Sequence, residues 1–236
     1  MPHSAITAAA DMDAMYRYQR YIYDASRKYY LLGRDRLLDE LEVPVGGNVL
    51  EVACGTGRNL IKAARRYPDA KFYGFDISQE MLATARISIS RAGFGDRISV
   101  AEGDATNFSG EQLFNTPAFD RVVISYALSM IPTWRGALDQ AIKVVAPGGA
   151  LYIVDFGELN DLPNWFKTGL LAWLGKFSVE PRSGFDVALK KVAGCRGLSV
   201  HCASLYRGYA TYAVVTKSAN GVIAPTATQP RRSLAR

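Results

Sequence analysis

Five short apolar runs alternate with amphipathic segments between residues 48 and 157, and this rhythm restricts the fold more than any other feature. The runs are NVLEVA (48–53), KFYGFD (71–76), ISVAEG (98–103), FDRVVISYA (119–127) and GALYIVDFG (149–157). Three of them are almost continuously apolar, as expected for parallel strands that are covered on both faces. The stretches 59–67, 78–92 and 133–145 between them have helical spacing. The alternation predicts an α/β fold with a doubly wound, mostly parallel sheet.

The pattern changes after residue 185. One further helix, 186–193, precedes the two strand-like runs LSVHCASL and YATYAVVTK, which are separated only by the turn-like YRG. This spacing predicts a closing antiparallel hairpin, so that the sheet has seven strands with an antiparallel last strand. The sequence therefore predicts a domain at 46–217 that contains an apolar and basic insertion at 158–185. An N-terminal segment at 1–45 precedes this domain, and a tail at 218–236 follows it. The tail lacks periodicity and is expected to be disordered.

Size, charge and cysteine content limit the class of protein. The 236 residues, 49% of them hydrophobic, suffice for one substantial core. No run of eighteen uncharged apolar residues occurs, so we expect a cytoplasmic protein without a membrane span. Three scattered cysteines fit reduced thiols better than disulfides or zinc, and no metal site is expected. From Glu158 onward there are eleven basic and four acidic residues, an excess that attracts nucleic acid or anionic membranes, or is a solvated basic face.

A glycine turn links the first predicted strand to the first predicted helix, in the run VLEVACGTGRNL. Gly55 and Gly57 permit a tight turn and close approach of the backbone to a ligand, while the helix N-terminus offers unpaired N–H groups. A dinucleotide site would need a third glycine, at the position where this chain has Leu60. The turn taken alone is also compatible with a simple strand-to-helix connection.

Three acidic residues lie at or after the ends of successive predicted strands. They are Glu51 in the first strand, Asp76 at the end of the second, and Asp104 just after the third. The carboxyl ends of parallel strands meet at one edge of the sheet, where open α/β folds bind ligands. A carboxylate at Asp76 can accept hydrogen bonds from both hydroxyls of a ribose. Together with the glycine turn, these residues predict a site for a nucleotide-type cofactor.

These segments resemble the class I S-adenosylmethionine-dependent methyltransferases. The resemblance covers residues 46–157 and is carried by VLEVACGTG, YGFDIS, EGDAT, FDRVVISYAL and KVVAPGGALYIVDF. It implies a Rossmann-like methyltransferase fold, with S-adenosylmethionine as cofactor and S-adenosylhomocysteine as product. By the same resemblance Asp76 binds the ribose, Asp104 and Ala105 the adenine, and Ser125 and Tyr126 flank the methyl group. The other cofactor-binding residues it implies are Glu51, Ala53, Gly55, Gly57, Asn59 and Ile77.

Acceptor choice is expected outside the core, in the two added segments. In the insertion, Trp165 and its apolar neighbours lie beside Lys167 and Lys176, as in a helix that lies in a membrane interface; the alternative is a helix packed on the core. Residues 15–38 contain six tyrosines and six lysines or arginines. Tyrosine rings stabilise sulfonium and methylated ammonium groups by about 0.5–2 kcal/mol each, and arginine binds carboxylates bidentately. The alternative is a tyrosine packing stripe.

Four segments, YRYQRYIYDASRKYYLLGRDRLL, CGTGRNLI, DFGELNDLPNWF and LYRGYATYAVV, resemble the N-methyltransferases of betaine-lipid synthesis. The resemblance implies conversion of diacylglyceryl-homoserine to diacylglyceryl-N,N,N-trimethylhomoserine by three successive methyl transfers. It implies a lipid substrate at the inner face of a membrane, peripheral membrane contact, and pairing with the enzyme that makes diacylglyceryl-homoserine. Residues 1–45 would then form a helical lid. The candidate catalytic rings are Tyr16, Tyr23 and Tyr30, and the candidate substrate-binding residues are Arg34, Arg207 and Trp165.

Other acceptors and other classes of function remain open at this point. Phosphatidylethanolamine and phosphoethanolamine are alternative amine substrates. A nucleic-acid methyltransferase would be drawn to the basic face, but SYALSMIP lacks the Asn/Asp-Pro-Pro-Tyr/Phe segment of base-modifying enzymes, so no nucleic-acid partner is expected. A non-catalytic nucleotide-binding module is disfavoured by Leu60. No strong general base is evident, so catalysis is expected to rest on proximity and orientation, with the proton lost to water or through a tyrosine.

Overall fold

A seven-stranded sheet organises the computed structural model, which describes residues 30–219. The strands are β1 (Asn48–Val52), β2 (Lys71–Asp76), β3 (Ile98–Glu102), β4 (Phe119–Ser125), β5 (Val145–Phe156), β6 (Ser199–Leu205) and β7 (Ala210–Thr216). Their order in the sheet is β3-β2-β1-β4-β5-β7-β6. Strands β1 to β5 are parallel, and β7 runs antiparallel between β5 and β6. The predicted α/β fold with its antiparallel last strand is confirmed.

Helices cover both faces of the sheet. They are α1 (Arg34–Asp39), α2 (Arg58–Arg66), α3 (Gln79–Arg91), α4 (Gly110–Phe114), α5 (Trp134–Lys143), α6 (Asn164–Gly175) and α7 (Phe185–Gly194). Successive strand residues point to opposite faces, so β5 contributes Ala150, Tyr152 and Val154 to one hydrophobic cluster and Leu151 and Ile153 to the other. Helices α1, α2, α3 and α6 pack into the first cluster, and α5 and α7 into the second.

Two elements differ from the sequence-based expectation. Strand β5 begins at Val145 rather than at residue 149, because Val145 pairs with Phe119 before a register shift leads to the Arg121–Ala150 pair. Gly149 allows this shift, since a Cβ there would lie only 2.8 Å from the Asp120 carbonyl oxygen. Helix α4 was not predicted; it is a single short turn whose N-terminus is capped by the Ser109 hydroxyl.

The described part of the N-terminal segment is built into the core. Leu37, Leu38 and Leu41 are fully buried against the sheet. The Arg121 guanidinium donates hydrogen bonds to the Leu41 and Glu42 carbonyl oxygens, at 2.6 and 2.7 Å. Tyr16 and Tyr23 lie outside the described residues, as does almost all of the tail predicted at 218–236. The lid at 1–45 and the disordered tail therefore stay predictions.

Gly74 is the glycine whose missing side chain matters most for the packing of the glycine turn. A Cβ at this position of β2 would lie 2.6 Å from Leu60 Cδ1 and 2.9 Å from Cys54 Cβ and Sγ. We expect Gly74→Ala to lower the free energy of unfolding by about 1–3 kcal/mol through overpacking, measured by urea denaturation. Gly95→Ala, where no atom lies within 4 Å of the new Cβ, is the matched control. Equal stability of the two variants would contradict this packing.

Candidate active site

The turn between β1 and α2 has an unusual backbone. Ala53, Gly55 and Gly57 all have positive φ angles, of 54°, 54° and 75°. The Cys54 amide donates to the Phe75 carbonyl oxygen at 2.9 Å, and the Gly57 amide donates to the Cys54 carbonyl oxygen at 3.1 Å. A left-handed conformation at the non-glycine Ala53 costs about 1–3 kcal/mol, a strain that often marks ligand-binding sites. The sequence thus forms the predicted glycine turn at the carboxyl end of β1.

Asp76 fixes this turn to the neighbouring strand. Its buried carboxylate accepts a hydrogen bond from the Gly55 amide at 2.8 Å on Oδ2 and another from the Ser78 amide at 3.0 Å on Oδ1. A carboxylate has about four acceptor positions, so bonds from the turn are compatible with the predicted contact to a ribose. Asp76 therefore shapes the glycine turn, and its contact with a ribose stays a prediction.

A cavity of about 280 Å³ opens beside the glycine turn. Its lining consists of Leu31, Arg34, Glu51, Ala53, Cys54, Gly55, Thr56, Arg58, Asn59 and Ser125. Five of the predicted cofactor-binding residues and the predicted substrate residue Arg34 are among them. The structure thus brings together residues that are up to 94 positions apart, from the segment before α1 to the end of β4.

Both a buried cation and a buried anion line the cavity. The Glu51 carboxylate accepts a 2.7 Å hydrogen bond from the Asn59 side-chain amide, and the Arg34 guanidinium donates to the Leu31 carbonyl oxygen at 3.3 Å. The Ser125 hydroxyl oxygen is buried without a hydrogen-bond partner among the described residues, although buried hydroxyls are nearly always bonded. These groups fit the methionine end of S-adenosylmethionine, which carries one ammonium and one carboxylate and would supply the missing bond.

Burial keeps the Cys54 thiol and the Tyr126 hydroxyl, both near the cavity, in their neutral forms. Burial raises the pKa of the Cys54 thiol well above its usual value, and the nearby Asp76 and Glu51 carboxylates raise it further, so the thiol stays neutral. The Tyr126 hydroxyl donates a 2.7 Å hydrogen bond to the Leu32 carbonyl oxygen, and burial raises the pKa of this phenol. The Tyr126 hydroxyl thus anchors the segment that precedes α1, and the expected position of Tyr126 beside the methyl group stays a prediction.

Three further residues that were predicted to bind the cofactor lie along the same edge of the sheet. Ile77 follows β2, and Asp104 and buried Ala105 follow the adjacent strand β3. One oxygen of Asp104 accepts from both the amide and the hydroxyl of Thr106, each at 2.8 Å, which orders the loop after β3. None of these three residues lines the 280 Å³ cavity.

The remaining predicted residues lie apart from the cavity. Tyr30 packs edge-to-face on Trp173, with ring centroids 4.6 Å apart, and lines a separate apolar groove. Arg207 is exposed in the turn between β6 and β7, and Trp165 is 78% exposed on α6. The structure does not bring these side chains into contact with the glycine turn.

Sequence reasoning missed a clamp on the loop that follows β4. Arg182 donates to the carbonyl oxygens of Leu128, Ser129 and Ile131, at 2.9, 3.2 and 3.0 Å. On the same loop, buried Asp155 accepts from the Ser129 amide at 3.1 Å. This loop directly follows Ser125 and Tyr126, so the clamp holds one side of the cavity in place. Every residue has a backbone carbonyl, so no sequence motif shows which of them a side chain such as Arg182 contacts.

Comparisons with known proteins agree with this geometry. Residues 49–149 match the model of a methyltransferase domain family. The matched region contains the glycine turn, Asp76 and Asp104, so it coincides with the segments that resemble class I S-adenosylmethionine-dependent methyltransferases. The cofactor expected from the sequence, S-adenosylmethionine with S-adenosylhomocysteine as its product, is therefore confirmed.

Curated relatives and solved structures extend the similarity beyond the matched domain. The chain is 26% identical over 166 residues, 68% of its length, to the ubiquinone/menaquinone biosynthesis C-methyltransferase of Cereibacter sphaeroides. It is 29% identical over 59% of its length to the demethylmenaquinone methyltransferase of Listeria monocytogenes. These matches span only 65% and 57% of the two relatives. An O-methyltransferase family protein from Burkholderia thailandensis shares the fold, with a TM-score of 0.62 at 22% identity over 92% of this chain and 61% of that protein.

Removal of the Asp76 carboxylate tests the cofactor site. We expect Asp76→Ala to weaken binding of S-adenosylhomocysteine by about 10- to 100-fold, because charge-assisted bonds to the turn and the ribose are lost. Isothermal titration calorimetry measures the change. Asp69→Ala, at an exposed position after α2, is the control and should leave the affinity unchanged. Unaltered affinity of Asp76→Ala would contradict the assignment.

Removal of the Arg182 guanidinium tests the clamp. We expect Arg182→Met to lower the free energy of unfolding by about 2–3 kcal/mol, because three partly buried carbonyl oxygens lose a hydrogen bond from a charged donor. Arg196→Met removes a guanidinium that pairs with Asp139 at a more exposed position, and its cost should stay below about 1 kcal/mol. Urea denaturation of both variants makes the comparison, and equal costs would show that the three carbonyl contacts contribute nothing.

Proposed function

We propose that this chain is a lipid amine N-methyltransferase that converts diacylglyceryl-homoserine to diacylglyceryl-N,N,N-trimethylhomoserine by successive methyl transfers. One observation carries the proposal: the cofactor cavity and an apolar groove lie on either side of the segment formed by residues 30–32. Leu31 lines the cavity, while Tyr30 and Leu32 line the groove. An amphiphilic acceptor with a polar head and an apolar tail matches such a pair of adjoining sites.

The chemistry of the site favours an amine as the nucleophile. S-adenosylmethionine supplies a methyl group that passes to the uncharged nitrogen as the C–S bond breaks, and the electron pair of that bond remains on sulfur. After each of the first two transfers one proton goes from nitrogen to water, and the third transfer leaves a quaternary ammonium group. Residues of the site have to orient the head group and tolerate positive charge. Phe156, Tyr126, Tyr30 and Tyr209 form a connected aromatic cluster with ring centroids 4.7–6.5 Å apart, which extends from the apolar groove to Tyr126, the residue after the cavity residue Ser125. Such rings stabilise a methylated ammonium group through cation–π attraction.

The named relatives support a second candidate, C-methylation of a quinone precursor. This reading rests on the ubiquinone/menaquinone biosynthesis enzyme and the demethylmenaquinone methyltransferase. Carbon methylation of a phenolic ring is helped by a base that removes the phenolic proton. The tyrosines of the aromatic cluster are poor bases, because burial keeps Tyr126 and Tyr209 protonated by raising their pKa values, that of Tyr209 to about 12. These two tyrosines therefore offer no base for the phenolic proton, which favours an acceptor that is nucleophilic without one.

Membrane contact is part of the proposal. Helix α6 exposes Trp165, Phe166 and Leu171, and Lys176 follows its last residue. Between residues 30 and 219 no helix is long and apolar enough to cross a membrane. We therefore propose that the enzyme meets its lipid from the surface of the bilayer, with these side chains in the interface. Pairing with the enzyme that makes diacylglyceryl-homoserine would supply the substrate in the same membrane.

Direct assay tests the head group. Purified protein is incubated with labelled S-adenosylmethionine and vesicles that contain either diacylglyceryl-homoserine or phosphatidylethanolamine, and a third set receives soluble phosphoethanolamine. We expect three successive one-methyl mass steps on diacylglyceryl-homoserine alone. Asp76→Ala in the same assay shows that transfer depends on the cofactor site. Transfer confined to either ethanolamine substrate would contradict the proposal.

The two candidate arginines predict different kinetic defects. Arg34 lies in the cofactor cavity, so Arg34→Met should raise the dissociation constant of S-adenosylhomocysteine about 10- to 100-fold by removing a charged partner of its carboxylate. Arg207 lies in the exposed β6–β7 turn, next to the groove residue Tyr206, so Arg207→Met should raise KM for diacylglyceryl-homoserine and leave cofactor affinity unchanged. The reverse pattern would exchange the two roles.

The rate of transfer should depend on pH through the substrate. Only the uncharged amine attacks, so kcat/KM should rise with pH until the amino group is deprotonated. It should then remain level, because the high pKa values of Tyr126 and Tyr209 keep both phenols protonated. Initial rates at several pH values measure this profile. A second, descending limb in the mildly alkaline range would indicate an essential group that the described site does not contain.

A further inference from the structure

We infer that the apolar groove beside the cofactor cavity binds a hydrocarbon chain of the acceptor lipid. The groove has a volume of about 540 Å³, which lies within the usual range of ligand-binding pockets. Three separate segments of the chain contribute to it: residues 30–32, helix α6, and the turn between β6 and β7. The inference rests on the proposed function for the identity of the acceptor, but binding of a chain can be measured without methyl transfer.

The side chains of the groove match a hydrocarbon rather than a polar ligand. Leu32 and Leu170 are aliphatic, and Phe166, Trp173 and Tyr206 present aromatic rings. Apolar surroundings also raise the pKa of Tyr209, which lines the groove, to about 12. Within the described residues, no charged side chain lines the groove. A fatty acyl chain needs only such surface and gains free energy with each methylene that leaves water.

The groove adjoins the cofactor cavity, so a ligand in the groove can extend toward the cofactor. Residues 30–32 form a thin divider, because Leu31 faces the cavity and its two neighbours face the groove. The hydrogen bond from Tyr126 to the Leu32 carbonyl oxygen holds this divider in place. The Tyr30 ring also contacts Trp173, which ties the divider to α6. A lipid whose chain lies in the groove therefore has its head group within reach of the transferred methyl group.

The groove also continues toward solvent. Tyr206, which lines it, is 51% exposed, and Phe166 and Leu171 are exposed on α6. Exposed apolar surface of this kind marks a site of interaction with lipid or protein. We assign the lipid, because the apolar surface runs from the outside of α6 into a groove beside the catalytic cavity. A chain leaving a bilayer could follow it without crossing water.

Fluorescence of Trp173 tests the assignment in the full-length protein. The probe is stearate brominated in the middle of its chain, used below its aggregation concentration, with unbrominated stearate as the control. Bromine quenches tryptophan on contact, so we expect quenching by the brominated probe only. Trp173→Phe should remove most of this quenching, whereas Trp165→Phe should keep it. Quenching that disappears with Trp165→Phe instead would place the chain on the outer surface of α6 and overturn the inference.

Chain length and groove filling give a second measurement. Affinity for saturated fatty acids should rise roughly fourfold for each added methylene and then level off once the groove is full. Leu170→Glu should lower the affinity at least tenfold while leaving binding of S-adenosylhomocysteine unchanged. Affinity that keeps rising with length, or that survives Leu170→Glu, would contradict a bounded groove. Acyl binding that persists without methylation of diacylglyceryl-homoserine would refute the head group and leave the groove intact.

Discussion

The hydrogen bond between the Gly55 amide and the Asp76 carboxylate is the contact on which the functional end of the molecule depends. It joins the turn after β1 to the end of the neighbouring strand β2, and it holds Gly55 with a φ of 54°. Without a carboxylate at that strand end, the turn would lose its fixed approach to the cofactor. Gly74 supports the same arrangement, because its lack of a side chain lets Leu60 and Cys54 lie against β2.

A second constraint is the divider formed by residues 30–32. It belongs at once to the cofactor cavity, through Leu31, and to the apolar groove, through Tyr30 and Leu32. The bond from Tyr126 makes its position part of the sheet rather than of a free N-terminal segment. In this arrangement a single stretch of backbone separates the site for the head group of an amphiphile from the site for its tail. The fold itself, which is shared with methyltransferases of other substrates, does not provide that separation.

Features that depend on neighbouring residues were predicted from the sequence, whereas features that depend on residues far apart in the chain were not. Strand β2 was predicted at its observed bounds, and Asp76 at the end of that strand, because apolar runs and strand-end acids are local signals. The start of β5 was missed because it depends on pairing with Phe119. The hydrogen bonds of Tyr126 and Arg182 were not predicted, because their partners are backbone carbonyls 94 and more than 50 positions away. The exposed position of Trp165 agrees with the predicted interfacial helix, whose contact with lipid stays a proposal.

The position of the transferred methyl group tests the central claim most directly. Vesicles that contain both diacylglyceryl-homoserine and a demethylated quinone precursor are incubated with the enzyme and S-adenosylmethionine carrying a trideuterated methyl group. Fragment masses then tell whether the label lies on the head-group nitrogen or on a ring carbon. Label on nitrogen, accumulating to three trideuterated methyl groups, is the result that the proposed function predicts. Label on the ring carbon alone would contradict it and establish quinone C-methylation.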